Sequence, residues 1–98
     1  NHDFIPKAFS LYQNYPNPFN PTTQVKYDLP KDDLVSISIY DLKGRNIKYL
    51  VNNFQSAGYR SVRWDATNNH GEQVSAGLYV YVIQAGEFRA SRKMILLK

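Results

Sequence analysis

The chain contains no cysteine. Disulfides and thiolate metal centres are therefore excluded, although secretion is not. No apolar run is long enough to cross a bilayer as a helix, and none has the form of a signal-peptide core. Histidine is scarce: His2 and His70 are the only two, and neither stands in an HxH, HExxH or paired-carboxylate arrangement. A metal centre or a general base would need partners that the local sequence does not supply, so no metal, cofactor or catalytic residue is expected. Like charges never run to five residues. The net charge of +4 comes from scattered lysines and arginines without a basic stripe, so nucleic acid is not an expected partner. A helical apolar period of useful length is missing as well. Together these absences point away from enzyme chemistry. The chain opens at Asn1 rather than Met, which reads as a piece of a longer protein with any export signal upstream.

Strand patterns are what is present. Ninety-eight residues form one domain with a modest core. Eight tyrosines, five phenylalanines and one tryptophan favour a pleated surface. Residues 1–8 read as a linker, and Phe9 and Leu11 mark a short first strand. Residues 14–21 carry three prolines, which rule out a helix and a central strand. Phe19, between Pro18 and Asn20, reads as an apolar plug pinning this loop to the core. Thr23, Val25, Tyr27 and Leu29 alternate with polar neighbours, as do Val35, Ile37 and Ile39. After the turn Asp41-Leu42-Lys43-Gly44, residues 46–51 read as a return strand. Ile47 points inward there, while Tyr49 and Leu50 compete for the inner face. Residues 52–58 read as a loop. Val62 and Trp64 share one face of the next strand, and residues 65–71 form a turn-rich connection. Residues 78–83 are apolar on both faces, the mark of a central strand. A tight turn at Ala85-Gly86-Glu87 leads into the final strand, where Phe88, Ala90, Met94 and Leu96 share a face. Arg92 interrupts that face, which suggests a bulge. About seven strands at this spacing predict an all-β, immunoglobulin-like or fibronectin-like antiparallel sandwich, without the Cys…Trp…Cys pattern of a true immunoglobulin domain.

Three local patterns invite a ligand and have simpler explanations. Residues 65–72 are rich in oxygen side chains, but their spacing fails the EF-hand pattern and Asx turns account for the composition. Pro18-Phe19-Asn20-Pro21 is formally PxxP, but Phe19 argues for docking onto its own domain. Tyr12, Tyr15, Tyr40 and Tyr59 could form a sugar platform, whereas Tyr27, Tyr79, Tyr81 and Trp64 have inward phase.

The ordered motifs resemble a known family. Phe9-Ser10-Leu11-Tyr12-Gln13-Asn14-Tyr15-Pro16-Asn17-Pro18-Phe19-Asn20-Pro21-Thr22-Thr23 is similar to the opening of type A C-terminal sorting domains of the type IX secretion system. Ile39-Tyr40-Asp41-Leu42-Lys43-Gly44 resembles that family's hairpin. Ala57-Gly58, Trp64-Asp65 and Gly71 resemble its following blocks, as do Gly77-Leu78-Tyr79-Val80-Tyr81 and Lys93-Met94-Ile95-Leu96-Leu97-Lys98. The central blocks are shared with the immunoglobulin-like domain of the flagellar hook-capping protein. Ala66 departs from the family, which often has glycine there.

The resemblance implies a sorting β-sandwich at residues 9–98 behind a linker at 1–8. It implies a mainly structural role for Pro16, Asn17, Pro18, Phe19, Asp41, Gly44, Gly58, Trp64, Asp65, Gly71, Gly77 and Tyr79. The implied function is a secretion signal for an upstream cargo domain in the same chain. The implied partners are an outer-membrane translocon and a sortase-like peptidase that removes the domain, with a cut in or before residues 1–8. Location would be the periplasm in transit, then the cell surface or medium. If the last strand lies at a sheet edge, its backbone can pair with a receptor strand, with Lys93, Met94, Leu96, Leu97 and Lys98 as recognition candidates. Weak self-association through exposed edges is the further expectation. The alternative reading is an ancillary carbohydrate-binding or structural spacer domain of a secreted enzyme.

Overall fold

The computed structural model describes residues 5–97. His2 and the rest of 1–4, together with Lys98, lie outside the described residues. Seven strands follow in order: β1 (Ser10–Leu11), β2 (Thr23–Leu29), β3 (Asp33–Asp41), β4 (Asn46–Gln55), β5 (Gly58–Trp64), β6 (Gly77–Ala85) and β7 (Phe88–Leu96). They form two antiparallel sheets, β1-β2-β5 and β4-β3-β6-β7. The expected sandwich of seven strands is thus the observed one.

Alternation decides which face each strand buries. Val25, Tyr27 and Leu29 from β2 face Val35, Ile37 and Ile39 from β3 and Tyr81, Ile83 and Ala85 from β6 in one buried cluster. Successive strand residues point to opposite sides, so one period-2 pattern fills the core and leaves Gln24, Lys26 and their like in water. β6 lies between β3 and β7, the central place that its apolar faces predict.

Two readings need correction. Arg92 causes no bulge: β6 and β7 stay in unbroken register from Gly77↔Leu96 to Ala85↔Phe88. Its Nε instead donates to the Leu11 carbonyl at 2.7 Å, so the guanidinium of this exposed residue reaches across to the other sheet. The irregularities lie in β4. The pairs Ile37↔Val51 and Ser38↔Tyr49 skip Leu50, and Ile39↔Lys48 and Tyr40↔Asn46 skip Ile47. Each skipped residue is an extra one in its strand, the definition of a bulge. The competition between Tyr49 and Leu50 resolves in this way: Tyr49 points to solvent, while Leu50 and Ile47 pack against the core. β4 also runs four residues past the expected loop start at 52. Pairing with residues 33–36 of β3 holds that stretch, so the exposed Phe54 opposite Leu34 needs no burial of its own.

Ala66 has φ 65° and is fully buried. The left-handed conformation costs a residue with a Cβ about 1–2 kcal/mol. Ala66→Gly removes that strain and gives up one methyl, worth about 0.8 kcal/mol. The expected result is a melting temperature equal to the parent's or a few degrees above it. A clear fall in a thermal scan would show that the methyl outweighs the strain.

Candidate functional site

The prolines of the 14–21 loop remove amide donors, so the loop cannot join a ladder along its length. At its start only Tyr15 pairs with a strand, through two backbone bonds to Gln24, and side-chain bonds hold the residues around it. The Asn14 amide donates to the Tyr81 hydroxyl at 2.8 Å, and that hydroxyl donates to the Tyr12 carbonyl at 2.7 Å. Asn14 Nδ2 donates to Thr23 Oγ1 at 3.0 Å and to the Pro16 carbonyl at 3.1 Å, and Thr23 Oγ1 donates to the same carbonyl at 2.8 Å. Asn14 and Thr23 are both buried, and each is satisfied. Burial raises the Tyr81 hydroxyl above its ordinary pKa, keeping it a donor.

Phe19 is 1% exposed, which bears out its reading as a plug. Its ring lies 5.7 Å from that of Trp64, whose ring lies 5.6 Å from Tyr79 in an edge-on arrangement. The indole Nε1 donates to the Thr67 carbonyl at 2.9 Å. Three motifs distant in sequence therefore meet in one aromatic stack.

The loop then reaches the last strand. β7 ends the four-stranded sheet, as the strand-edge reading requires. Its outer side from Lys93 to Leu97 is already occupied, however. Gln13 Nε2 donates to the Lys93 carbonyl at 2.7 Å, and the Ile95 amide donates to Asn17 Oδ1 at 2.9 Å. The Phe19 amide donates to the Ile95 carbonyl at 2.9 Å, and the Leu97 amide donates to the Phe19 carbonyl at 2.9 Å. A short parallel bridge, Phe19↔Leu96, results. A receptor strand could not pair with this stretch unless the loop left it.

The recognition candidates divide accordingly. Met94 and Leu96 are core residues, buried to within 1%. Lys93 and Leu97 are exposed. Ile95, absent from the candidates, is 38% exposed beside its register partner Leu78 at 40%. Gln13, Asn14 and Thr23 were missed as well. They stand in the proline-rich motif, but the long-range partners of Gln13 and Asn14, Lys93 and Tyr81, leave no mark there, and the Thr23 hydroxyl bonds only to nearby Asn14 and Pro16.

The remaining motif residues sit apart, at turns. Asp41 Oδ1 accepts from the Lys43 and Arg45 amides, and Oδ2 pairs with Arg45 Nε at 2.8 Å. The Arg45 amide, above all, holds its carboxyl below the ordinary range. Gly44 closes this turn with φ 83°, a value that favours glycine. Asn68 Oδ1 accepts from the His70 and Glu72 amides, and Gly71 donates to the Asn68 carbonyl. The Asn68 oxygens thus serve the loop's own amides, while Asn69 Oδ1 accepts from the Tyr49 amide of β4. Asp65 is held below its ordinary pKa first by the Thr67 hydroxyl. Gly58 and Gly77 open β5 and β6. Among the described residues, no three His, Cys, Asp or Glu side chains gather where a metal ion could sit. Tyr12, Tyr15 and Tyr59 are exposed along the three-stranded sheet, Tyr40 is half-buried, and the exposed Tyr49 was not anticipated.

Comparison with known proteins places this geometry. A family model described as "Secretion system C-terminal sorting domain" matches residues 13–97. No curated protein matches the chain. Among solved structures it is similar to dimeric latent PorU from Porphyromonas gingivalis, with a TM-score of 0.71 and 21% identity, over 94% of this chain and 9% of that one. It is also similar to PorZ of the same organism, an essential bacterial surface component of the type-IX secretion system. There the TM-score is 0.63 and the identity 19%, over 91% of this chain and 12% of that one. The alkylpurine DNA glycosylase AlkC of Pseudomonas fluorescens gives 0.55 and 14%, over 92% of this chain and 30% of that one. The chain spans about a tenth of the length of PorU and PorZ. At these identities the likeness shows the fold, which one scaffold can lend to unrelated tasks.

Proposed function

The chain belongs to the secretion system C-terminal sorting domain family, and from that premise we propose that it is the sorting signal of an attached cargo. It is a non-enzymatic domain read by the type IX secretion machinery. That machinery carries the cargo from the periplasm across the outer membrane to the cell surface or medium. The observation that carries this reading is the extent of the family match, which takes in the proline loop and every strand from β2 to β7. PorZ, a type IX surface component, has the same fold, but so does AlkC, so the family match and not the fold favours this route.

The finer assignments follow the same reading. The sorting domain is residues 9–98, and residues 1–8 are the linker to the cargo domain. The outer-membrane translocon recognises the domain, and a sortase-like peptidase removes it with a cut in or before the linker. Lys93 and Leu97 act through exposed side chains; Met94 and Leu96 act by fixing the strand in the core. Exposed sheet edges, among them those of β4 and β5, are where a second copy would pair weakly.

A reporter fused in front of the full chain is expected outside the cells of a type IX host, with the unfused reporter retained in the periplasm. Equal retention of both would end the reading. Deleting residues 93–98 is a weaker test, because loss of Met94 and Leu96 also opens the core.

A further inference from the structure

The outer side of β7 is bonded from the Lys93 carbonyl to the Leu97 amide, by Gln13, Asn17 and Phe19 in turn. Strand addition needs free amides and carbonyls along an edge, and this edge has given them to the loop. The side chains of the same residues point the other way. Lys93, Ile95 and Leu97 project from the outer face of the four-stranded sheet, where Leu78 lies beside Ile95. This is an apolar strip with a cation at its end, and Arg89 continues the positive charge along the strand.

Resting on the sorting reading above, we propose that the surface read by the translocon is composite and conformational. The β6 ladder places β7, the proline loop fixes its last residues from the outer side, and the partner docks face-on against Ile95, Leu97 and Leu78. It meets them with an apolar surface bordered by carboxylates that complement Lys93. The signal therefore exists only after the domain has folded, and Asn17 is a positioning residue for it.

The test uses Asn17, which is exposed and contributes nothing to the core. The reporter fusion is compared as parent, Asn17→Ala and Asn17→Asp; aspartate keeps the oxygen that accepts from Ile95. In Asn17→Ala, hydrogen exchange at the Ile95 amide should rise about tenfold by local opening, with the melting temperature little changed. Export should fall sharply, and Asn17→Asp should restore both. Ile95→Lys, on the exposed face, should abolish export with the fold intact. Parental export by Asn17→Ala despite faster exchange would overturn the proposal, as would unchanged exchange at Ile95 or parental export by Ile95→Lys. If the parent fusion itself stays in the periplasm, the sorting reading fails, and that result is distinct from any of these.

Discussion

Trp64→Ala is expected to cost about 3–5 kcal/mol, the range for deleting a buried large aromatic side chain. Domains of this kind have only about 5–15 kcal/mol of net stability, so this one change can leave the chain largely unfolded at growth temperature. The reason is local. Trp64 is 1% exposed and stands between Phe19 and Tyr79, with ring separations of 5.7 and 5.6 Å. Its removal leaves a void that neither neighbour can fill without leaving its own strand or loop. It also strands the Thr67 carbonyl, which accepts from the indole nitrogen. Trp64→Phe should retain the ring contacts and lose the hydrogen bond together with part of the volume, for a smaller loss. Urea melts followed by circular dichroism would measure both changes. A midpoint for Trp64→Ala within error of the parent's would remove Trp64 from the core.

Phe19→Ala is expected to cost a similar amount, about 3–5 kcal/mol, with a different signature. Phe19 has two attachments: its ring lies in the aromatic stack and its backbone bonds to Ile95 and Leu97. Without the ring nothing apolar holds the end of the loop, and the two backbone bonds become solvent-competed. Native-state hydrogen exchange should therefore speed up at the Leu97 amide more than at central β3 amides such as Ile37. Uniform acceleration across both would mean that the ring supports the whole core rather than the loop in particular. Phe19→Leu, which keeps an apolar plug, should preserve most of the protection at Leu97.

The sequence made legible whatever depends on a residue and its near neighbours. Alternation in β2, β3 and β7 assigns their faces correctly, because a half-buried strand must repeat every two residues. The Phe19 plug was legible because a lone aromatic among prolines has no local partner. What escaped depends on a second segment. The bulges at Leu50 and Ile47 are set by how β4 matches β3, and neither strand contains that information alone. The last residues of β4 carry no apolar alternation, so their pairing with residues 33–36 left no trace in the pattern. Arg92 looked like a defect because its acceptor, the Leu11 carbonyl, lies 81 positions away. The same holds for the candidate site. Lys93 to Leu97 were visible as a strand ending, but the pairing of that ending with Asn17 and Phe19 was not.

The bridge between Phe19 and Leu96 also constrains when the domain can be finished. A ribosome delivers the proline loop early and its partner strand after all six others. Long-range closure of this kind slows folding, since the intervening chain must be ordered before the contact is gained. Until translation has supplied β7, the nascent polypeptide holds a loop with nothing to grip, and a prematurely terminated copy never closes. Completion of this one contact thus reports that synthesis has passed β7.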